Sequence, residues 1–201
     1  MPTMACARIA ILVIEFVVVA LVQTATAYEK QHTSLPHGPL KLVEPEPTIA
    51  ALPIAALPIE GLRASELRDS FEEIHNGHRH EAIDILKPNG TPARAVVDGT
   101  IRKLFFSKAG GNTIYEFDET SVYCYFYAHL DHYADGLYEG MHVSRGTVIG
   151  YVGSTGNASL PAPHLHFAIY RLGPDKRWWK GTPVNPYPML IRLLRNVPPV
   201  H

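Results

Sequence analysis

The sequence predicts a mostly β protein: one antiparallel sandwich or barrel-like domain, preceded by a short helix and an N-terminal export or anchor segment. Two observations carry the β assignment. Short stretches with alternating or continuous apolar character recur at residues 95–104, 113–117, 121–128, 147–152 and 164–170. Turn signals separate them at Asp98-Gly99, Gly110-Gly111 and Gly140, the first being a strong two-residue hairpin dipeptide. A third observation sets the boundary, because the chain before residue 60 has a different, proline-rich composition.

From the N-terminus, Arg8 precedes an apolar run over residues 9–22, and Ala25-Thr26-Ala27 fits a small-residue cleavage site. Residues 1–27 therefore read as a signal peptide or membrane anchor, with a mature chain starting near Tyr28. Glu15 interrupts the run at a cost of roughly 3 kcal/mol on insertion scales, which about eleven surrounding Ile, Leu, Val and Phe residues offset. The run is short for a spanning helix, and left uncleaved it would tether the chain to a membrane.

Residues 28–59 read as a Pro-rich linker containing the small repeat Ala51-Leu52-Pro53-Ile54 and Ala56-Leu57-Pro58-Ile59, with apolar prolyl segments suited to lie along the domain. Leu62, Leu67, Phe71 and Ile74 stand at roughly helical spacing and predict a short helix over residues 63–74. The main domain is expected over residues 60–192, with a tail at 193–201.

Composition narrows the function classes. Eighteen Lys and Arg against nineteen Asp and Glu leave a net charge of −1, so no bulk field draws the chain to nucleic acid. Of the two cysteines, Cys6 falls in the export segment, so the mature chain holds only Cys124 and no internal disulfide; Cys124 sits in an apolar stretch as core filler. Function must reside in a site.

That site is announced by His164-Leu165-His166-Phe167. Side chains alternate along a strand, so His164 and His166 point to one side while Leu165 and Phe167 enter the core. Upstream, His80-x-x-x-Asp84 offers a second set, with Ile83 and Ile85 opposed to it. Straight strand would separate His80 from Asp84 by about 13 Å, slightly more than ligand bonds of ~2 Å can bridge, so the segment should bend. Imidazoles, a carboxylate and a spare imidazole are the inventory of a catalytic zinc site with an open position.

Other residues bear on it less directly. His78 competes as a ligand only through His78-Arg79-His80, and His75, His132 and His142 have no partner pattern. His129 follows Tyr123, Tyr125 and Tyr127 on one strand face, where it either serves neighbouring backbone groups or takes part in chemistry. Trp178 and Trp179 fit two roles, walling a substrate groove or packing the C-terminal segment onto the sandwich. Asn112 has a turn role or a groove role, and Arg79 a solvated role or one attracting carboxylates.

Taken together, His80-Glu81-Ala82-Ile83-Asp84, Tyr127-Ala128-His129-Leu130 and His164-Leu165-His166, in that order, resemble the LytM and lysostaphin-type zinc metallopeptidases. The resemblance extends through Gly90-Thr91-Pro92, Ala95-Val96-Val97-Asp98-Gly99, Gly140-Met141-His142-Val143, Gly146 to Gly150 and Gly153-Ser154-Thr155-Gly156, covering about residues 75–170. It implies that His80, Asp84 and His166 bind one Zn²⁺ per chain, leaving a fourth position for water, with His129 and His164 as the catalytic pair. Which of the two is the base stays open. Ala82 departs from the glycine common in such enzymes and puts local ligand geometry in question.

The implied function is hydrolysis of peptide cross-links in peptidoglycan stem peptides, by metal-activated water with histidine acid–base help. The implied location is the periplasm of a Gram-negative bacterium, or its inner membrane through a tether at residues 9–22, with an envelope regulator protein as a further partner. The alternative is a non-catalytic peptidoglycan-binding protein or an activator of another hydrolase, against which the presence of all five expected residues argues. A third reading, attack on glycine-rich protein or a rival's wall, shares the same active-site residues.

Overall fold

Alternation decides which face of each strand turns inward, and β10 (His164–Leu172) shows it most plainly: Leu165, Phe167 and Ile169 are buried while His164, His166 and Tyr170 stay partly open. The computed structural model describes residues 54–75 and 77–196. Its other elements are β1 (Ile74–His75), β2 (His78–Arg79), β3 (Ile83–Leu86), β4 (Pro92–Arg94), β5 (Gly99–Ser107), β6 (Gly111–Asp118) and β7 (Tyr123–Tyr133). These are followed by β8 (His142–Val143), β9 (Val148–Val152), β11 (Gly181–Val184) and one helix, α1 (Tyr187–Asn196).

β1 and β2 form a separate two-stranded ribbon, and the other strands make one antiparallel sheet along the path β11-β10-β7-β6-β5-β8. β3 pairs with the first half of β10 and β11 with the second, while β9 joins β4 to the far end of β7. Among the described residues the path has two ends, so the sheet is open and does not close into a barrel.

Register sorts the side chains. Phe167 stands opposite Tyr127 and Ile83, and Ile169 opposite Tyr125, so these belong to the core face. His166 stands opposite Ala128 and Asp84 on the other face. Against the core face pack Ile59, Leu62, Val96, Ile149 and, from α1, Met189 and Leu190. Each large side chain buried here contributes about 1.5–3 kcal/mol, which makes this face the main source of stability.

The predicted segments 113–117 and 164–170 lie wholly in strands, whereas 121–128 and 147–152 do so only from Tyr123 and Val148 onward, with β7 running on to Tyr133. Asp98-Gly99 is not a hairpin turn. β4 ends at Arg94 and pairs with β9, whereas β5 pairs with β6 and β8, so the intervening residues form a corner. Ala95, Val96 and Val97 are all buried there, the Asp98 carboxylate accepts from the Arg145 N–H, and a side chain at Gly99 would collide with the Phe117 carbonyl.

The short helix expected over residues 63–74 is also corrected: only a 3-10 turn at Ala64–Glu66 forms, and the chain then folds back into the β1–β2 ribbon. Its backbone is spent on the following segment, since Phe71 and Glu73 carbonyls accept from Glu81 and His80 N–H groups. α1 was not foreseen from the sequence and begins after Pro186, with the Asn185 side chain accepting from the Tyr187 N–H at 2.9 Å. It extends past residue 192, and Leu193 and Leu194 pack on the core, as do Ile54, Leu57 and Ile59 from the stretch read as linker. The export segment, the tether at residues 9–22 and most of the linker lie outside the described residues. Among the described residues no helix is long and apolar enough to cross a membrane.

Candidate active site

Two side chains from neighbouring strands and one from the residues just before them converge beside the open sheet face. His80 precedes β3, Asp84 lies on β3, and His166 is the direct cross-strand partner of Asp84 on β10. The bend demanded by the His80–Asp84 spacing occurs at Glu81, whose φ is 55°, rather than at Ala82, which is fully buried beneath the site. Ala82 therefore need not adopt the conformation that favours glycine, and the three side chains still converge.

His80 Nε2, Asp84 Oδ1 and His166 Nδ1 stand 3.1 Å apart in all three pairings. The His80 Nδ1–H donates to the Ser70 carbonyl at 3.2 Å, so in the neutral ring its Nε2 carries a lone pair aimed at a carboxylate oxygen. Two acceptors cannot face each other at that distance without a cation or proton between them. Donors held ~2 Å from a small divalent ion in tetrahedral array stand roughly 3.3 Å apart, so the three atoms fit one such ion with a side left open. These residues are the His/Asp group that could hold a metal.

The electrostatics agree. Burial pushes the Asp84 carboxyl up, but the His166 and His80 rings outweigh it and hold it well below the usual carboxylate range. Burial pulls His80 down, yet the Asp84 carboxylate overrides it and the net shift is upward; in His166 burial prevails and the shift is downward. The pocket thus keeps a fixed negative charge among imidazoles, a field suited to a cation.

His129 and His164 stand beside this cluster. His164 Nε2 lies 3.8 Å from Asp84 Oδ1, and its ring centroid is 4.9 Å from that of His129, which in turn is 5.6 Å from His166. Plain alternation would have sent His129 into the core with Tyr127. Instead β7 carries an extra residue relative to β6 between Tyr127 and Leu130, and His129 takes a φ of 59°, which turns its ring into the groove.

A tight set of bonds holds that bulge. The His129 N–H donates to the Gly110 carbonyl at 2.8 Å and its Nδ1–H to the Thr155 carbonyl at 2.9 Å. Asn112 Nδ2 donates to the Leu130 and Asp131 carbonyls, and the Thr155 hydroxyl donates to the Leu130 carbonyl while accepting from the Asn112 N–H. Gly156, at φ 77°, passes so close to Ala109 and Gly111 that any side chain would overlap their backbones. Gly153-Ser154-Thr155-Gly156 is therefore the clasp on His129.

His164 Nδ1–H donates to the Ala162 carbonyl at 2.9 Å. Both flanking rings thus spend Nδ1–H on a carbonyl, leaving Nε2 as an acceptor. For His129, burial first and the nearby imidazoles next bring the pKa down to about 4, so the ring is neutral at ordinary pH.

All five expected residues come together. His78 is exposed on β2 and outside the cluster, His132 stacks on Tyr151, and His142 lies 3.7 Å from Glu119. Arg79 pairs with Glu72 at 2.8 Å, and Asn112 serves the bulge. Two participants were missed: the Ser70 carbonyl that orients His80, and His75, whose ring stacks on His80 at 4.5 Å. The His75–His78 pairing had no signal, because its strand begins at Ile74, the last residue of the stretch expected to be helical.

Comparison with known proteins places the geometry. Residues 78–186 match the model of Peptidase family M23. An L-Ala–D-Glu endopeptidase of Bacillus subtilis (strain 168) is 34% identical over 116 residues, 55% of this chain and 34% of that protein. The DD-carboxypeptidase/endopeptidase Mpg of Neisseria meningitidis serogroup B is 38% identical over 115 residues, 56% of this chain and 23% of the relative. The structure of the antimicrobial peptidase lysostaphin from Staphylococcus simulans superposes with a TM-score of 0.53 at 29% identity, covering 63% of this chain and 49% of that one. The chain thus spans about a third or less of the curated relatives' length. Because the matched segment takes in more than half of the chain, with all five site residues inside it, the chain belongs to Peptidase family M23.

Proposed function

We propose that the protein is a zinc-dependent endopeptidase that hydrolyses the peptide cross-links of peptidoglycan in the cell envelope. The observation that carries this reading is the mutual 3.1 Å approach of His80 Nε2, Asp84 Oδ1 and His166 Nδ1 with two further histidines beside them. Relatives that share this domain are named as endopeptidases, among them an L-Ala–D-Glu endopeptidase and a peptidoglycan DD-endopeptidase.

His80, Asp84 and His166 are the ligands, and two imidazoles plus one carboxylate with an open side suit Zn²⁺. When bound, that ion supplies Lewis acidity and lowers the pKa of water toward about 7. His129 and His164 do the rest of the chemistry. With Nδ1–H held by Thr155 and Ala162 carbonyls, each presents Nε2 to the groove as a proton acceptor. One takes the proton of the attacking water and passes it to the departing amine; the other, when protonated at Nε2, donates to the oxyanion. Asp84 stays ionised throughout, and Phe126 meets the His166 ring edge-on with centroids 5.9 Å apart.

The stem peptides of the wall are the substrate in this reading, and residues 9–22 act as a cleaved export signal or a tether that leaves the domain in a Gram-negative periplasm. The test is muropeptide analysis after incubating the purified protein with cross-linked peptidoglycan, with zinc, with chelator and with zinc restored. Conversion of cross-linked dimers to monomers should follow the zinc. A folded, zinc-loaded protein that converts nothing would overturn the proposal.

A further inference from the structure

The face that carries His166 continues beyond the candidate metal site as a row of aromatic rings. Two residues along β10 from His166, Ala168 stands opposite Phe126 on β7, and Phe126 stands opposite Tyr115 on β6. Phe126 meets His166 edge-on with ring centroids 5.9 Å apart, and Tyr115 lies 4.6 Å from Phe126. Trp178, from the connection between β10 and β11, lies 4.7 Å from Tyr115, with Phe105 at 5.6 Å and Trp179 at 5.1 Å beyond it.

The rings are anchored below and open above. Tyr115 and Trp178 cover a small second core of Phe117, Cys124 and Leu172, which settles Trp178 as a packing residue on that side. Phe105 and Trp179 nonetheless leave 41% and 60% of their surface to solvent, and Phe126, Tyr115 and Trp178 are half-buried. An exposed, contiguous aromatic surface of this kind marks a binding surface.

Two features select its occupant. β6, β7 and β10 are interior strands with a neighbour on each side, so the floor has no free backbone edge with which an extended peptide could pair. Two of the flanking cations are already neutralised, Lys103 by Glu139 and Arg177 by Asp175, both at 2.7 Å, which favours an uncharged ligand over an anionic one. A pyranose ring answers both requirements: its axial C–H face is flat and apolar, and its hydroxyls point away to water.

We propose that Phe105, Tyr115, Phe126, Trp178 and Trp179 form a saccharide-stacking platform that seats sugar rings of the glycan strand whose peptide enters the metal site. The proposal rests on the peptidoglycan reading above for its connection to catalysis, but not for sugar binding itself. The platform begins against a metal ligand, so a seated glycan positions the attached peptide at the histidine pair.

The test has two arms. In the first, a peptide-free β-1,4 N-acetylglucosamine tetramer is titrated by calorimetry into chelator-treated full-length protein, wild type and the Trp179→Ala and Phe105→Ala variants, with thermal melts confirming each fold. Wild type should bind, and each variant should bind about tenfold more weakly. No binding by the wild type at millimolar sugar, or equal binding by both variants, overturns the platform. In the second arm, kcat/KM is compared on intact peptidoglycan and on a glycan-free cross-linked peptide. The ratio of the two should fall about tenfold in each variant, whereas an equal loss on both substrates would make the row a peptide surface and refute the saccharide assignment. If the wild type cleaves neither substrate, the endopeptidase reading fails while the first arm still decides the platform.

Discussion

Glu116 offers a quantitative test of the core. It is fully buried on β6, where its Oε2 accepts from the Tyr127 hydroxyl at 2.6 Å and its Oε1 has no hydrogen-bond partner among the described residues; the Tyr127 oxygen in turn accepts from the Val96 N–H at 3.1 Å. Burial is the main cause that raises its pKa from 4.5 to about 8. The folded pKa lies above the unfolded one, so the contribution is fully present below about pH 4.5 and is lost as pH rises through 8. At about 1.4 kcal/mol per unit, the loss between pH 5 and 9 is on the order of 4 kcal/mol, a large part of a domain's stability. Glu116→Gln keeps the acceptor for Tyr127 but does not titrate. Urea unfolding of wild type and variant with chelator present, at pH 5 and pH 9, isolates the difference, because titrations common to both cancel. The variant should gain several kcal/mol on wild type between the two pH values. A difference constant to within about 0.5 kcal/mol would refute the raised pKa and the buried geometry behind it.

Two further outcomes follow from the His129 bulge. Gly156→Ala forces a side chain into the Ala109 and Gly111 backbones at φ 77°, and should cost more than the roughly 1–3 kcal/mol of backbone strain alone, read as a lowered urea midpoint. His129→Ala should lower kcat by about 10²–10³-fold on cross-linked peptide while zinc content stays near one per chain, since the ring flanks the triad without belonging to it. Loss of zinc in that variant would contradict the division between ligands and flanking rings.

The parts of this molecule legible in its sequence are those set by local chemistry. His164-Leu165-His166-Phe167 reads correctly because alternation along a strand is a local property, and the bend between His80 and Asp84 follows from the reach of ligand bonds. What escaped depends on pairing between distant segments. His129 reaches the groove only because β7 gains a residue against β6, and with alternation alone it would join Tyr127 in the core. The helix expected near residue 70 gives way because Ser70 and Phe71 carbonyls are claimed by His80 and Glu81, a demand invisible in the periodicity of Leu67, Phe71 and Ile74. α1 was not predicted at all, although proline such as Pro188 is tolerated in the first turn of a helix.

The central claim is the division of labour among four histidines and Asp84, and one paired measurement tests it most directly. Zinc stoichiometry and cross-link cleavage should be determined together for His166→Ala and His164→Ala at matched protein concentration. The account predicts that His166→Ala loses both zinc and cleavage, whereas His164→Ala keeps its zinc and loses cleavage. Equal loss of zinc from both variants, or cleavage retained by His164→Ala, would contradict it.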